Sequence, residues 1–385
     1  MRGVVPREAE FTSRLRSAAV AARVGSWLGV CFAIAFVTGL ISHYAQVPDQ
    51  PIPFPTAPSW GYRLTQGLHV ATGSAAVPLL LVKLWTVYPK LFAPLPRPSR
   101  RGVLTMLERG SIGVLVASAV FQLATGLANA AQWYPWAFSF RTAHFAVAWI
   151  AIGALLVHVA VKLPVIRAAW GSDVDSVGQD RPSATRSGAV SRRTLLRGTW
   201  IAAAAAVVTT AGATVPLLRK VSVFAVRTGE GPQGVPINRT AQAAGVTADD
   251  VDRSYLLQVV GPGGTVSLTR DELAGLRQRT RDLPIACVEG WSAGATWSGV
   301  PIRDLLDLVE APRGSDVLVV SLQRRGHYGR TVLQGNFADH PSTLLALTIN
   351  GEQLSVDHGY PARIIAPNRP GVLQTKWVTR LEVMT

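Results

Sequence analysis

Cysteine is almost absent from this 385-residue chain, which has only Cys31 and Cys287. The first lies inside an apolar run and the second far away in a polar region, so a disulfide framework is excluded. Clustered zinc ligands are missing as well, because His327, His340 and His358 stand far in sequence from one another and from Cys287. Acidic residues are the scarcer charge, 23 Asp and Glu against 38 Lys and Arg, giving a net charge of +15. A basic excess fits nucleic acid, an anionic membrane surface or the positive-inside bias of a membrane protein. Here the basic residues segregate by segment and form no single stripe, which argues against a nucleic-acid partner.

Long apolar runs are plentiful. Five segments approach the roughly 20 apolar residues that a bilayer-spanning helix needs: Val24–Ile41, Leu64–Val82, Ser111–Ala131, Ala143–Leu163 and Thr199–Leu218. The loops between them differ sharply in charge. Arg2, Arg7, Arg14, Arg16 and Arg23 precede the first run, and Lys90, Arg97, Arg100, Arg101 and Arg109 fill the second loop. Arg167, Arg181, Arg186, Arg192, Arg193 and Arg197 lie ahead of the fifth run, whereas the first and third loops hold only Arg63 and Arg141. The positive-inside rule therefore predicts a multi-pass protein of the cell membrane, with a cytoplasmic N-terminus and everything beyond about Arg219 outside the cytoplasm.

The expected fold class is a membrane α-helical bundle, four helices plus a fifth tethering helix, followed by a strand-rich α+β domain. The boundaries read from the sequence are a four-helix membrane domain over 1–165, a cytoplasmic linker over 166–198, a fifth helix over 199–220 and an extracytoplasmic domain over 221–385. Within the linker, "SRRTLLRG" (191–198) resembles a twin-arginine export signal, which carries domains already folded around a cofactor. Past the fifth helix, alternating runs at 254–261, 316–323, 344–351 and 362–368 predict strands. Short helices are expected at 269–278, where Thr269 and Glu272 form a capping-box pattern, and at 301–310.

Four of the seven histidines, His43, His69, His144 and His158, fall in or at the ends of the first four runs, where ionisable residues are functional candidates. His144 and His158 are 14 residues apart, which places them about 40° apart on one helix face and about 21 Å along the axis. His69 plus 14 is Lys83. His69 and His144 both stand at the outer end of their helices, at similar depth, and could ligate one b-type haem between them. At the inner level His158 faces Lys83, either as a second haem site or with Lys83 extended to the headgroups. His43 fits an interfacial histidine. Residues 20–165 thereby resemble the membrane cytochromes of the cytochrome b561 and formate-dehydrogenase-gamma type, which implies one haem b or two.

Cys287 sits in a glycine-rich loop with Glu289, Trp291, Ser292 and Trp297. A lone buried cysteine can be an inert small hydrophobe, or a soft thiolate ligand that leaves the other metal positions to a cofactor. "IACVEGWSAGATWSGVPIRDLL" (285–306) and "VDHGYPARIIAPNRPGVLQTKWVTRLEV" (356–383) resemble the molybdopterin-binding domain of the sulfite oxidase family over about 235–385. The match is nearest to its bacterial periplasmic methionine-sulfoxide reductase branch. That resemblance implies that Cys287 ligates molybdenum. It also implies that His358, Gly359, Pro361 and Arg363 form one cofactor-binding element and Gln374, Thr375 and Lys376 the pterin-phosphate loop. "PINRTA" (236–241) resembles a further cofactor-contacting turn with Asn238 and Arg239. "SLQRRGHYGR" (321–330) falls where the family builds its substrate pocket, with Arg325 and Tyr328 as candidate catalytic residues alongside Arg324, His327 and Arg330. A solvated basic hairpin is the alternative.

The chain stops at Thr385, short of the dimerisation domain of the family's sulfite oxidases, which turns the expectation away from sulfite. The expected protein is thus a molybdopterin-dependent oxidoreductase that transfers an oxygen atom outside the cytoplasm. It would exchange electrons with a quinone or quinol through the haem and reduce a sulfoxide-like small molecule. Membrane lipid and a redox partner protein complete the expected partners. Sulfite-type oxidation in the reverse direction, and a haem electron-transfer protein with a non-catalytic C-terminal domain, are the alternatives.

Overall fold

The computed structural model describes residues 6–94, 99–178, 180–225, 231–252 and 254–384. Arg2 and Arg97, counted above for topology, lie outside the described residues. The chain divides into two compact units. One comprises Met1–Gly39, Leu68–Gly212 and Lys220–Ala225, and the other Leu40–Gly67, Ala213–Arg219 and Val226–Thr385.

Five helices are long and apolar enough to cross a membrane: α1 (Ala18–Ala45), α2 (Gly61–Val87), α3 (Arg100–Ala130), α4 (Phe140–Trp170) and α5 (Arg192–Thr210). Three of them, α1, α2 and α4, extend beyond the apolar runs at both ends, because the flanking turns continue the backbone hydrogen bonding past the hydrophobic stretch. The start of α5 is capped by Ser191, whose side chain accepts from the Thr194 N–H. It comes seven residues earlier than the apolar run, so Arg192 and Arg193 belong to its first turn. Arg192 is buried and donates to both Asp180 oxygens, at 2.5 and 2.6 Å, and to the carbonyls of Arg14, Val174 and Ser176. Arg193 pairs with Asp173 and Asp175. The stretch expected to be an unstructured linker is thus tied down by its own carboxylates, and the twin arginines have structural partners in addition to any export role.

In the second unit the order is α6 (Ala241–Ala244), β1 (Leu256–Gly261), β2 (Gly264–Thr269), α7 (Arg270–Gly275), β3 (Arg279–Ala286), β4 (Ser292–Pro301), α8 (Ile302–Asp307), β5 (Val317–Ser321), β6 (Arg330–Leu333), α9 (Gly335–Ala338), β7 (Leu344–Ile349), β8 (Glu352–Gln353), β9 (Arg363–Ile365) and β10 (Val378–Val383). One sheet runs β2-β1-β10-β5-β6, parallel only between β1 and β10. The other runs β3-β4-β7-β8, with β9 also on β7. The four expected strands appear as β1, β5, β7 and β9. The expected capping box is present at α7, where the Thr269 side chain accepts from the Glu272 N–H and Glu272 accepts from the Thr269 N–H. A single apolar core takes Leu257, Val259, Leu305, Val319, Phe337, Leu345, Ile364 and Leu381 from both sheets and the short helices. Burial on this scale, at roughly 25 cal/mol per Å² of apolar surface, makes it the main stabilising element of the unit.

The sequence boundary at 221 differs from this division, because Leu40–Gly67 packs with the C-terminal strands. The Val332 N–H of β6 donates to the Pro48 carbonyl at 2.8 Å, Gln334 donates to Gln50 Oε1 at 2.9 Å and Asn336 to the Phe54 carbonyl at 2.8 Å. Strand β6 ends its sheet, so Pro48 satisfies a group that an edge strand leaves unpaired.

Candidate functional site

The Cys287 turn joins β3 to β4, which pair in register through Ala286 and Ser292. The turn closes on itself: the Cys287 N–H donates to the Trp291 carbonyl at 2.9 Å, and Gly290, at φ 78°, donates to the Cys287 carbonyl. Residues from the segment after α5 hold it from the side. Thr214 donates to the Gly290 carbonyl, and Arg219 to the Ser292 carbonyl at 2.7 Å. The thiol is 1% exposed and accepts from the N–H groups of Val288 and Glu289. Burial, followed by the Glu289 carboxylate, nevertheless pushes the thiol well above its usual range. Two aimed N–H groups favour negative sulfur but do not offset its desolvation, so the thiol stays protonated as the chain stands, and a bound cation would favour the thiolate.

A second group of residues comes from β9, the loop after it and the turn before β10. Arg363 donates to the carbonyls of His358 and Gln374, at 3.0 and 3.2 Å, and its guanidinium lies 5.0 Å from the Trp297 ring centroid. Lys376 donates to the carbonyls of Arg239 and Asp357, at 2.7 and 2.8 Å, and lies in electrostatic range of Cys287. Gly359 stands at φ 105°, and a Cβ there would come within 2.9 Å of Lys376 Cβ, so only glycine lets the two segments meet. Thr375 shares a 2.9 Å hydroxyl contact with Thr331. His358 is buried, and its Nε2 donates to the Pro232 carbonyl at 2.7 Å. Burial, then Arg363, brings its imidazole down to about 4, so it is neutral at pH 7.

Arg369 belongs to the same group and was not singled out in the sequence. It is 3% exposed, donates through Nη2 to the Val332 carbonyl at 2.7 Å and lies over the Phe337 ring. Burial lowers both Arg363 and Arg369 to about 9 and pushes Lys376 well down. Among the described residues no ion pair joins Arg363, Arg369 or Lys376 to a carboxylate. Nε of Arg363, Nε and Nη1 of Arg369 and Nε of Arg239 are buried without a partner. Two buried arginines with unspent donors, beside the buried Lys376, make a site suited to an anion. A molybdopterin, with its phosphate and its metal next to a thiolate, fits this donor set. The textual signal was present, since Arg369 lies six residues beyond Arg363 in "ARIIAPNRPG", but nothing local distinguishes a buried arginine from a solvated one.

Other expected residues are placed differently. The Gln374 amide donates to the carbonyls of Ala366 and Arg369 and accepts from the Ala366 N–H. Its side chain therefore clips the 366–369 loop and has no donor left for a phosphate. Asn238 is half-buried beside Arg239. In the hairpin, Arg324 is spent on Asp250 through two bonds, one of 2.8 Å. Arg325 is exposed and packs along Gly245, and His327 and Arg330 are exposed as well. The hairpin is thus largely a solvated basic surface. Tyr328 is the exception, half-buried with its hydroxyl 3.4 Å from the Gln46 carbonyl.

In the first unit, the rings of His69 and His144 face each other with centroids 6.3 Å apart and planes at 64°. Each Nδ1 is occupied. His69 Nδ1 lies 2.9 Å from the Ala35 carbonyl and 3.2 Å from Thr38 Oγ1, and His144 Nδ1 lies 2.9 Å from Thr125 Oγ1. A partner on Nδ1 fixes the ring and leaves Nε2 available to a ligand bond. The ring separation accommodates one metal atom with two bonds of about 2 Å. Gly39 and Gly126 border the rings, and a Cβ on Gly39 would come within 3.2 Å of His69 Cε1. At the other level, Lys83 Nζ donates to the Ala21 carbonyl at 2.8 Å, so its amine is committed to the α1 backbone and not to His158. His158 stands in range of Lys83, Lys162 and Glu108. Among the described residues there is no cluster of three or more His, Cys, Asp or Glu side chains that could hold a metal.

Residues 243–385 match the family model of the oxidoreductase molybdopterin binding domain. The chain carries a molybdopterin-binding oxidoreductase domain. The catalytic subunit of the protein-methionine-sulfoxide reductase MsrP of Xanthomonas campestris is 31% identical over 30% of this chain and 40% of its own length. The mitochondrial sulfite oxidase of Drosophila melanogaster is 32% identical over 30% of this chain and 22% of its own. YedZ1 of Azospira oryzae, assigned as a subunit of a protein-methionine-sulfoxide reductase, is 35% identical over 30% of this chain and 43% of its own. The chain thus spans less than half the length of these relatives. The buried cations over 358–376 and the Cys287 turn both fall inside the molybdopterin-binding domain. If the unpaired cations of this domain await an anion, replacing Arg369 by Met should have opposite effects in two states. Without cofactor, the melting temperature of the variant should hold or rise, since apolar replacement of a buried charge is neutral or stabilising by roughly 1–4 kcal/mol. In protein loaded with molybdopterin, molybdenum content should fall. Differential scanning calorimetry and elemental analysis on the two preparations check both signs.

Proposed function

We propose that this protein is a membrane-bound molybdenum oxidoreductase that transfers an oxygen atom outside the cytoplasm, reducing a sulfoxide-like small molecule with electrons drawn from quinol through a b-type haem. The observation that carries the reading is the set of buried cations without an ion pair, Arg363, Arg369 and Lys376, of which Lys376 lies in electrostatic range of a thiol held by aimed N–H groups. Bound there, molybdopterin would supply two-electron oxygen-atom transfer at molybdenum, and a haem held by His69 and His144 would supply single electrons. The chain's own residues do the rest. Cys287 offers a thiolate, with the Val288 and Glu289 N–H groups holding its charge. Lys376 and the two arginines bind the anionic end of the cofactor. His358 keeps a neutral imidazole against Pro232 and positions the carbonyl that Arg363 grips, and Tyr328 offers a hydroxyl to the substrate.

The similarity to MsrP supports reduction. The comparable similarity to the Drosophila sulfite oxidase favours a second reading, oxidation of a sulfite-type donor with electrons running to quinone. The test is molybdenum by elemental analysis and haem by pyridine haemochrome on one full-length sample, followed by turnover with methionine sulfoxide under a quinol and with sulfite under a quinone. We expect about one molybdenum and one haem per chain, the haem stoichiometry of a single bis-histidine site, and sulfoxide turnover. Haem without molybdenum, from a host that makes the cofactor, overturns the enzyme reading. Sulfite turnover alone reverses the direction.

A further inference from the structure

Leu40–Gly67, which covers the end of α1, the connection and the first turns of α2, is far from the molybdopterin domain in sequence, yet it belongs to the same compact unit. Its most buried large side chain, Tyr62, is 1% exposed. Tyr62 packs with Ala45 and with Ala286, the residue immediately before Cys287. Its ring meets Phe54 edge-on at 6.5 Å, and its hydroxyl lies in electrostatic range of Cys287 and Tyr328. The backbone is fixed from the far end of the chain: Asn368, at φ 56°, accepts from the Tyr62 N–H and donates to the Pro55 carbonyl at 2.7 Å. The hydroxyl joins a buried polar chain. It lies 3.0 Å from Ser42 Oγ and accepts from Gln46 Nε2 at 3.4 Å, and the same amide donates to Ser42 Oγ and the Ser42 carbonyl at 2.8 and 2.9 Å. The Gln46 carbonyl in turn accepts from the Tyr328 hydroxyl.

We propose that Leu40–Gly67, the end of α1, its connection and the first turns of α2, supplies a wall of the Cys287 site, with Tyr62 as a positioning residue that packs on Ala286 and, through the Gln46 carbonyl, sets the Tyr328 hydroxyl. This rests on the reading of Cys287 and Tyr328 as site residues. The substrate pocket is then completed by Leu40–Gly67 of the same unit, and 221–385 alone would hold the cofactor without the whole pocket. The mechanism is geometric. A buried polar chain fully bonded at both ends holds its members in one arrangement, and the wall excludes water from the metal side of the turn.

Two experiments on the full chain test it. In protein made without cofactor, alkylation of Cys287 by iodoacetamide is followed by peptide mass, which separates it from Cys31. Since access limits the reaction of a buried thiol, Tyr62→Ala should raise the rate by about tenfold or more and Tyr62→Phe should leave it within about twofold. Equal rates for Tyr62→Ala and wild type overturn the wall. In the loaded enzyme, Tyr62→Phe should raise the substrate KM by about fivefold with little change in kcat, and should add nothing on a Tyr328→Phe background, because coupled residues are not additive. Independent, additive effects overturn the coupling, and this arm stands even if Tyr62→Ala fails to fold. Failure of the molybdenum reading would look different. Cys287→Ser would then keep wild-type activity, while the alkylation result, read without cofactor, would be unaffected.

Discussion

Cys287→Ser should abolish turnover while leaving the fold intact. The side chain sits in a turn closed by backbone bonds, Cys287 to Trp291 and Gly290 to Cys287, and none of these involves sulfur. Serine is smaller and fits the same space, so circular dichroism and the haem spectrum should be unchanged. What changes is the ligand. A hydroxyl is harder and far less acidic than a thiol, and the Val288 and Glu289 N–H groups that hold negative sulfur cannot make it a soft donor. Losing an outer-shell partner typically costs a metal site about 10–100-fold; loss of the only protein ligand should exceed that, with turnover at background. On the proposed reading the cofactor itself should stay in part, because Arg363, Arg369 and Lys376 would grip its anionic end. The expected sample is therefore inactive yet molybdenum-containing, with an altered molybdenum EPR signal. A variant with wild-type activity and an unchanged signal would remove Cys287 from the metal.

The contrast between that cysteine and its neighbours shows what the sequence can reveal. A glycine-rich turn at Cys287 was legible, as were the capping box at Thr269 and Glu272 and four of the strands, because each depends on residues within a few positions; β3 and β4, which flank that turn and take Ser292 and Trp297 out of the loop, were not. The basic loops and apolar runs were legible for the same reason. Three features were not. Tyr62 is placed by Asn368, 306 residues away, and no local pattern announces a contact of that range. Arg369 and Arg324 look alike in the text, but one is buried with unspent donors and the other is neutralised by Asp250. Gln374 matches a cofactor motif, yet its amide is consumed by the backbone of a loop that the motif does not include. Burial and hydrogen-bond saturation are properties of the folded whole, and they decide which of several identical residue types is available for chemistry.

His69→Ala and His144→Ala should each remove most of the reduced b-type absorbance, and both should stop quinol-driven turnover while sparing turnover with an artificial one-electron donor. The reasoning is geometric. One metal between two facing imidazoles needs both, and Lys83, the amine at the other level, is bound to the Ala21 carbonyl and so is no ready replacement. The rings are held by different partners: His69 by the Ala35 carbonyl and Thr38, His144 by Thr125. This makes a graded series available. Thr125→Val removes the partner of His144 Nδ1 without touching the ligand, and should weaken haem retention by about 10–100-fold, the usual cost of losing an outer-shell bond. Thr38→Val should cost less, because the Ala35 carbonyl still holds His69. His158→Ala should leave the absorbance near wild type if one haem binds at the His69–His144 pair. Haem content by pyridine haemochrome across the five proteins separates the cases. If His69→Ala and His144→Ala both keep their haem, the pair is not the ligand set. If His158→Ala halves it instead, a second haem binds at the level of Lys83, and the lysine amine must leave the α1 carbonyl to admit it.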